Sequence, residues 1–196
     1  MPRFDPALYA LPSLAFAEQL VGATLLFDGI GGIIVETEAY APEEPASHSF
    51  AGPTPRSRVM FGPVGHAYVY RSYGLHWCLN IVCGPPGSAV LIRALQPTHG
   101  VDTMKENRGL HDPRKLCTGP GRLTQALGIT AAQNGVSLEA PPFRLLAHDA
   151  TSSPAPAIMC GPRIGISKAV DLPWRFGLAG SPYLSRPFQI VAKPKR

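Results

Sequence analysis

The stretch GIIVETEAY, residues 32–40, reads as a β-strand with two carboxylates and a tyrosine on one face. β-Branched residues crowd its first half, and period-two alternation puts Val35, Thr37 and Ala39 on one side and Glu36, Glu38 and Tyr40 on the other. Glutamates in so apolar a strand are costly unless they meet cations or hydrogen-bond donors, so the fold must bring partners to them. Arg93, inside a second apolar run (AVLIRAL, residues 89–95), is the best-placed guanidinium.

Working outward, Ser13 is positioned to N-cap a helix in which Leu14, Ala17, Leu20 and Val21 share a face. Beyond the strand, residues 41–62 form a Pro-, Ser- and Gly-rich loop holding His48, Arg56 and Arg58, and so long a connection inside a compact domain is usually functional. Strands are predicted at Gly65–Arg71, Leu75–Val82 and Ala89–Leu95, the first two joined by the short turn Ser72-Tyr73-Gly74. Helices are predicted at Val101–Arg108 and, capped by Thr118, at Arg122–Leu127; a strand follows near Arg163–Ile166, and residues 193–196 form a basic tail. The pattern predicts one domain over residues 1–196. Its class is mixed α+β, with a mainly antiparallel, curved sheet, flanking helices and a protruding β-hairpin.

Composition narrows the function classes. With 45% apolar and 16% charged residues in 196, the chain can bury a full core, and 20 Gly with 22 Pro argue for many turns rather than a helical bundle. No apolar stretch approaches the roughly 20 residues of a membrane-spanning helix, and Asp5, Pro6, Pro12 and Glu18 interrupt any secretory core, so a cytoplasmic protein without a membrane partner is expected. Cys78, Cys83, Cys117 and Cys160 lie far apart without a Cys-x-x-Cys pair, which predicts reduced, mostly buried thiols and no zinc. The net charge of +5 fits a polyanionic partner, and basic residues gather in two loops able to grip phosphates: Arg56 and Arg58 by Thr54-Pro55, and Arg108, Arg114, Lys115 and Arg122. The Gly119-Pro120-Gly121-Arg122 turn lacks the Lys-Ser/Thr of a P-loop, and no nucleotide cofactor is implied.

Glu38 and Arg93 could converge on a water, although the same pattern fits a plain buried ion pair. Tyr40 shares a face with Glu38, and Tyr68 shares one with Tyr70, so an aromatic-walled cleft beside a carboxylate is geometrically reasonable. Tyr68 reads as core. Tyr73, at a hairpin tip with little of its own domain to pack on, reads as an interfacial residue able to fill the gap left by an extruded nucleotide.

Over essentially its whole length the chain resembles the alkyladenine (3-methyladenine) DNA glycosylase family. The matching text is VETEAY at 35–40, SHS at 47–49, TPRSRVMF at 54–61, YVYRSYGLHWCLN at 68–80, LIRAL at 91–95, CTGPGRLTQAL at 117–127 and RIGIS at 163–167. The resemblance implies a single α/β domain without metal or cofactor, whose hairpin enters the minor groove of double-stranded DNA containing damaged purines. It implies that Glu38 is the general base activating water, that Arg93 and the backbone carbonyl of Ile164 help hold that water, and that Tyr40, His48 and Tyr70 stack on the flipped base. By the same resemblance Asn80 disfavours the amino group of normal guanine, Tyr73 intercalates, and Thr54, Arg56, Arg58 and Arg122 meet the DNA backbone. Departures from the mammalian pattern are a Tyr40–His48 segment and a His48–Thr54 segment each one residue shorter, Leu75 in place of a methionine, and no long N-terminal extension. A monomeric, bacterial, nucleoid-associated enzyme is expected.

The expected reaction is base excision of alkylated or deaminated purines, of the 3-methyladenine, 7-methylguanine, hypoxanthine and ethenoadenine class, by a monofunctional hydrolase. Two rival readings remain open: a sugar glycosidase pairing Glu36 with Glu38, about 6.6 Å apart along a strand, and a non-catalytic nucleic-acid-binding module.

Overall fold

A computed structural model describes residues 2–148 and 155–188. In chain order the elements are α1 (Ser13–Leu20), β1 (Thr24–Phe27), β2 (Ile30–Tyr40), β3 (Ala67–Ser72), β4 (His76–Val82), β5 (Ala89–His99), α2 (Val101–Arg108), α3 (Pro120–Leu127), β6 (Phe143–Leu146), β7 (Ile158–Gly161) and β8 (Arg175–Leu178). The strands form one antiparallel sheet in the order β3-β4-β5-β2-β1-β6, with β8 pairing β2 and β7 pairing β8. This is the mixed α+β class that the alternation of residues 32–40 predicts.

The strand at the centre is β2. From Gly31 to Tyr40 it pairs β5 on one edge; on the other, its first residues pair β1 and Glu36, Thr37 and Glu38 pair β8. Gly31 and Gly32 allow the tight curl at its start, because a Cβ on Gly32 would lie 1.9 Å from the carbonyl oxygen of Gln96. Three register shifts interrupt the β2–β5 ladder: between Gly31 and Gly32 the partner moves from His99 to Pro97; then Ile34 opposes Leu95 and Glu36 opposes Ala94, leaving Val35 extra; and Thr37 then opposes Ile92, leaving Arg93 extra on β5. Bulges re-aim side chains, and this one turns Arg93 towards both glutamates.

On the opposite face α1 buries Phe16, Ala17 and Leu20 against β2, each large side chain contributing about 1.5–3 kcal/mol, and the Thr37 hydroxyl donates to the Ala17 carbonyl at 2.9 Å. Helix α3 has Pro at its first position and Gly128 past its end at φ 73, so it starts and stops where its sequence directs. Its Leu123, Ala126 and Leu127 join the same core.

Several sequence expectations need correction. Ser13 lies inside α1 behind Pro12 and makes no capping bond, and the cap position of α3 is Gly119; the Thr118 hydroxyl instead accepts from Arg122 at 3.1 Å. The strand expected near Arg163–Ile166 is displaced to Ile158–Gly161, because Pro162 cannot donate to a ladder. The long loop is not wholly irregular: Arg58–Phe61 form a 3-10 turn. Cys160 is exposed, whereas the other three thiols are buried. The basic tail at 193–196 lies outside the described residues. Among the described residues no helix is long and apolar enough to cross a membrane.

Candidate active site

A cavity of about 790 Å³ opens on the sheet face that carries Glu36 and Glu38, and its wall includes Tyr40, His48, Tyr70, Asn80, Arg93 and Ile164. Its size suits one flat heterocycle and its sugar. Residues from four strands, the start of α3 and several loops meet here because β3, β4, β5 and β2 adjoin in the sheet and the 41–62 loop folds back over them.

Glu38 is fully buried just behind that wall, and its partners are wall residues. Oε1 accepts the Ile164 backbone N–H at 2.7 Å and lies 3.2 Å from Arg93 Nη1; Oε2 accepts the Tyr40 hydroxyl at 2.8 Å. Burial pushes the Glu38 carboxyl above the usual carboxylate range, with a smaller push from Glu36, against the opposing pull of Arg93, the Ile164 N–H and Tyr40. The result is a carboxylate of raised basicity that still has donors for its charge. The resemblance assigns Ile164 a role through its carbonyl; the contact seen here is made by its N–H.

Glu36, also fully buried, is bound differently. Its Oε1 accepts from Arg93 Nε and Arg175 Nη1, both at 3.1 Å, and from the Ser185 hydroxyl at 2.8 Å, while Oε2 accepts the Ser185 N–H at 2.5 Å. Four donors therefore hold Glu36 in place, three of them crowded on Oε1.

The aromatic wall is built by the 41–62 loop and β3. The His48 and Tyr70 rings are 4.5 Å apart at 78°, and His48 Nδ1 is 2.9 Å from the Tyr68 hydroxyl. Burial, aided by the Arg56 charge, lowers His48 to about 4, so it is neutral at pH 7. Burial raises Tyr40 well above its ordinary value and Tyr68 to about 12, which keeps both phenols protonated as donors. Asn80 is held by its amide N–H on the Tyr68 carbonyl at 3.0 Å.

Tyr73 stands at the rim, 80% exposed, at the tip of the β3–β4 hairpin. The turn is closed by the Leu75 N–H on the Ser72 carbonyl at 2.9 Å, with Tyr73 at φ 50 and Gly74 at φ 68. A bulky residue with positive φ is strained, and the exposed ring reaches the other side of the cavity mouth, where its hydroxyl donates to the Gly165 carbonyl at 3.2 Å. Leu75 is beside it, 78% exposed.

Of the four residues expected to meet a DNA backbone, Arg56 and Arg122 are on the cavity rim. Arg56 lies 4.9 Å from the Tyr70 ring centre. Thr54 and Arg58 are exposed off the cavity, Thr54 in a turn closed by its hydrogen bonds with Ser57. The sequence reading missed Lys168 and Arg186, which also line the cavity, and the buried pair Glu44–Arg163. Arg163 begins the quoted RIGIS stretch, but nothing in one sequence pairs it with a glutamate 119 residues away.

Comparison with known proteins bears on this geometry. The family model described as methylpurine-DNA glycosylase (MPG) matches residues 7–182. A relative from Rhodopseudomonas palustris strain CGA009 is 63% identical over 174 residues, covering 88% of this chain and 82% of its own. One from Nitrosospira multiformis is 59% identical over 192 residues, covering 96% and 97%, and one from Rhizobium meliloti is 54% identical over 184 residues, covering 94% and 97%. All three bear the name "Putative 3-methyladenine DNA glycosylase".

Proposed function

Because this chain belongs to the methylpurine-DNA glycosylase family, and is thus a DNA glycosylase that hydrolyses N-glycosyl bonds in damaged DNA, we propose that it excises alkylated purines with a water activated by Glu38. The observation behind this reading is Glu38 itself: a buried carboxylate of raised basicity that accepts two hydrogen bonds, pairs with Arg93 and keeps acceptor capacity, directly behind the wall of an aromatic cavity.

In the proposed reaction the damaged purine is flipped out of double-stranded DNA approached from the minor groove, and stacks among Tyr40, His48 and Tyr70. Water oxygen bonds to the anomeric carbon as the bond to the purine nitrogen breaks, and the water proton passes to Glu38. The products are the free base and an abasic sugar. Negative charge on Glu38 also stabilises the oxocarbenium character of the sugar, while Arg93 and the Ile164 backbone, whose carbonyl is the water's third contact, fix the geometry. A cationic base such as 3-methyladenine leaves without a general acid, and neutral His48 does not repel it. The wider range includes 7-methylguanine, hypoxanthine and ethenoadenine, with the Asn80 side chain excluding the amino group of normal guanine. Tyr73 fills the vacated stack, and Thr54, Arg56, Arg58 and Arg122 hold phosphates. The enzyme acts as a monomer, with one glycosylase domain and no metal or cofactor, in the cytoplasm at the nucleoid.

The burial of Glu36 and its engagement by four donors weigh against a sugar glycosidase, which needs two available carboxyls flanking the scissile bond. The reading is tested by alkali-revealed strand scission of duplexes carrying 3-methyladenine or hypoxanthine. Lesion-dependent abasic sites are expected; tight binding to lesion DNA without base release would leave a binding module.

A further inference from the structure

Behind the cavity, Arg163 and Glu44 form a buried bidentate pair, named by Nη1 to Oε1 at 2.6 Å and Nη2 to Oε2 at 2.8 Å. Both residues are about 95% buried. Burying two charges is a poor way to gain stability, because the desolvation cost rivals the attraction, so the location of the pair matters more than its existence.

Its other contacts fall on the immediate neighbours of the groups that bind Glu38. Arg163 Nη1 also donates to the Ala39 carbonyl at 2.9 Å, and Ala39 joins Glu38 to Tyr40. The guanidinium carbon lies 4.7 Å from the centre of the Tyr40 ring, the same ring whose hydroxyl donates to Glu38 Oε2. The next residue in the chain, Ile164, supplies the N–H on Glu38 Oε1. Glu44 ties in a third segment: its Oε2 accepts the Ala46 N–H at 2.9 Å and its carbonyl accepts the Ser47 N–H at 3.0 Å, which fixes the backbone leading into His48.

We infer that Arg163 and Glu44 are a positioning pair that locks the end of β2, the Ile164 segment and the His48 loop together, so that Tyr40 and Ile164 hold Glu38 in its working orientation. The inference rests on the glycosylase reading for its kinetic consequences only. Arg163 does not touch substrate. A lysine at 163 keeps the charge but lacks the fork needed to serve both Glu44 oxygens and the Ala39 carbonyl together.

Arg163→Lys and Glu44→Gln are compared with wild type by single-turnover excision of a methylated purine, by affinity for lesion DNA, by melting temperature, and by carbon-13 NMR titration of the Glu38 carboxyl. The expected result is a 10- to 100-fold slower single turnover with lesion affinity within about threefold of wild type. The Glu38 titration and the acid limb of the rate profile should both move to higher pH, because the Tyr40 and Ile164 donors that stabilise the carboxylate are loosened. A rate loss explained by unfolded protein, or rate and affinity falling together with the titration unmoved, overturns the inference. If Arg163→Lys does not fold, Glu44→Gln, which keeps one carbonyl acceptor, decides by the same criteria. Should wild type release no methylated purine, the glycosylase reading fails by itself; the NMR titration, which needs no substrate, still decides whether the pair sets Glu38.

Discussion

Glu36 and Glu38 share one guanidinium, that of Arg93, at 3.1 and 3.2 Å, yet Glu36 accepts four hydrogen bonds and Glu38 two, its contact with Arg93 being an ion pair. Two carboxylates on one strand face thus divide their work. One anchors the cations and the Ser185 segment; the other keeps an acceptor position beside the cavity.

Glu36→Ala is therefore expected to damage stability. It leaves Arg93 and Arg175 buried without their shared carboxylate, a loss of about 3–5 kcal/mol for a broken buried pair. Urea unfolding checks this, and a variant within about 1 kcal/mol of wild type would show that the network is not structural.

The pH dependence of excision should show an acid limb set by Glu38. The base must be ionised to accept a proton, so activity rises with pH through its pKa, and burial places that limb above the ordinary glutamate value of 4.5. His48, lowered to about 4, is already neutral across the window in which a free imidazole would titrate. The limb should keep its position in His48→Gln; its disappearance there would assign it to the imidazole instead.

Tyr73→Gly should weaken lesion binding roughly tenfold, from lost stacking of about 1–3 kcal/mol, without lowering the melting temperature. Glycine adopts φ 50 freely, so the substitution relieves the backbone strain carried by the tyrosine. Affinity equal to wild type in a titration with lesion duplex would end the intercalation role.

Lys168 lines the cavity and places an amine within its reach. If water is the nucleophile, borohydride traps no covalent protein–DNA adduct and Lys168→Ala still releases base. A trapped adduct lost in Lys168→Ala would make this a bifunctional enzyme.

The sequence makes β2 and the pairing of Glu38 with Arg93 legible, because an apolar strand announces its costly charges. It also places Tyr73 at a hairpin tip from the Tyr-Gly turn alone. The bulge that exposes Arg93 to both glutamates is not legible, since a register shift depends on two strands and leaves no local mark. RIGIS alternates like a strand, but Pro162 blocks pairing and the Ile164 N–H goes to a side chain instead of a ladder. β1, β6 and β8 escape notice because each has only four residues. Arg163 meets Glu44 only through tertiary closure, over a separation at which pattern reading has no purchase.

The most direct test of the account is single-turnover excision from a 3-methyladenine duplex by wild type and Glu38→Gln, with lesion-DNA affinity measured for both. Loss of the general base should slow base release by about 10²–10⁴-fold while affinity stays within a fewfold of wild type. Base release by Glu38→Gln at a rate near that of wild type would contradict it.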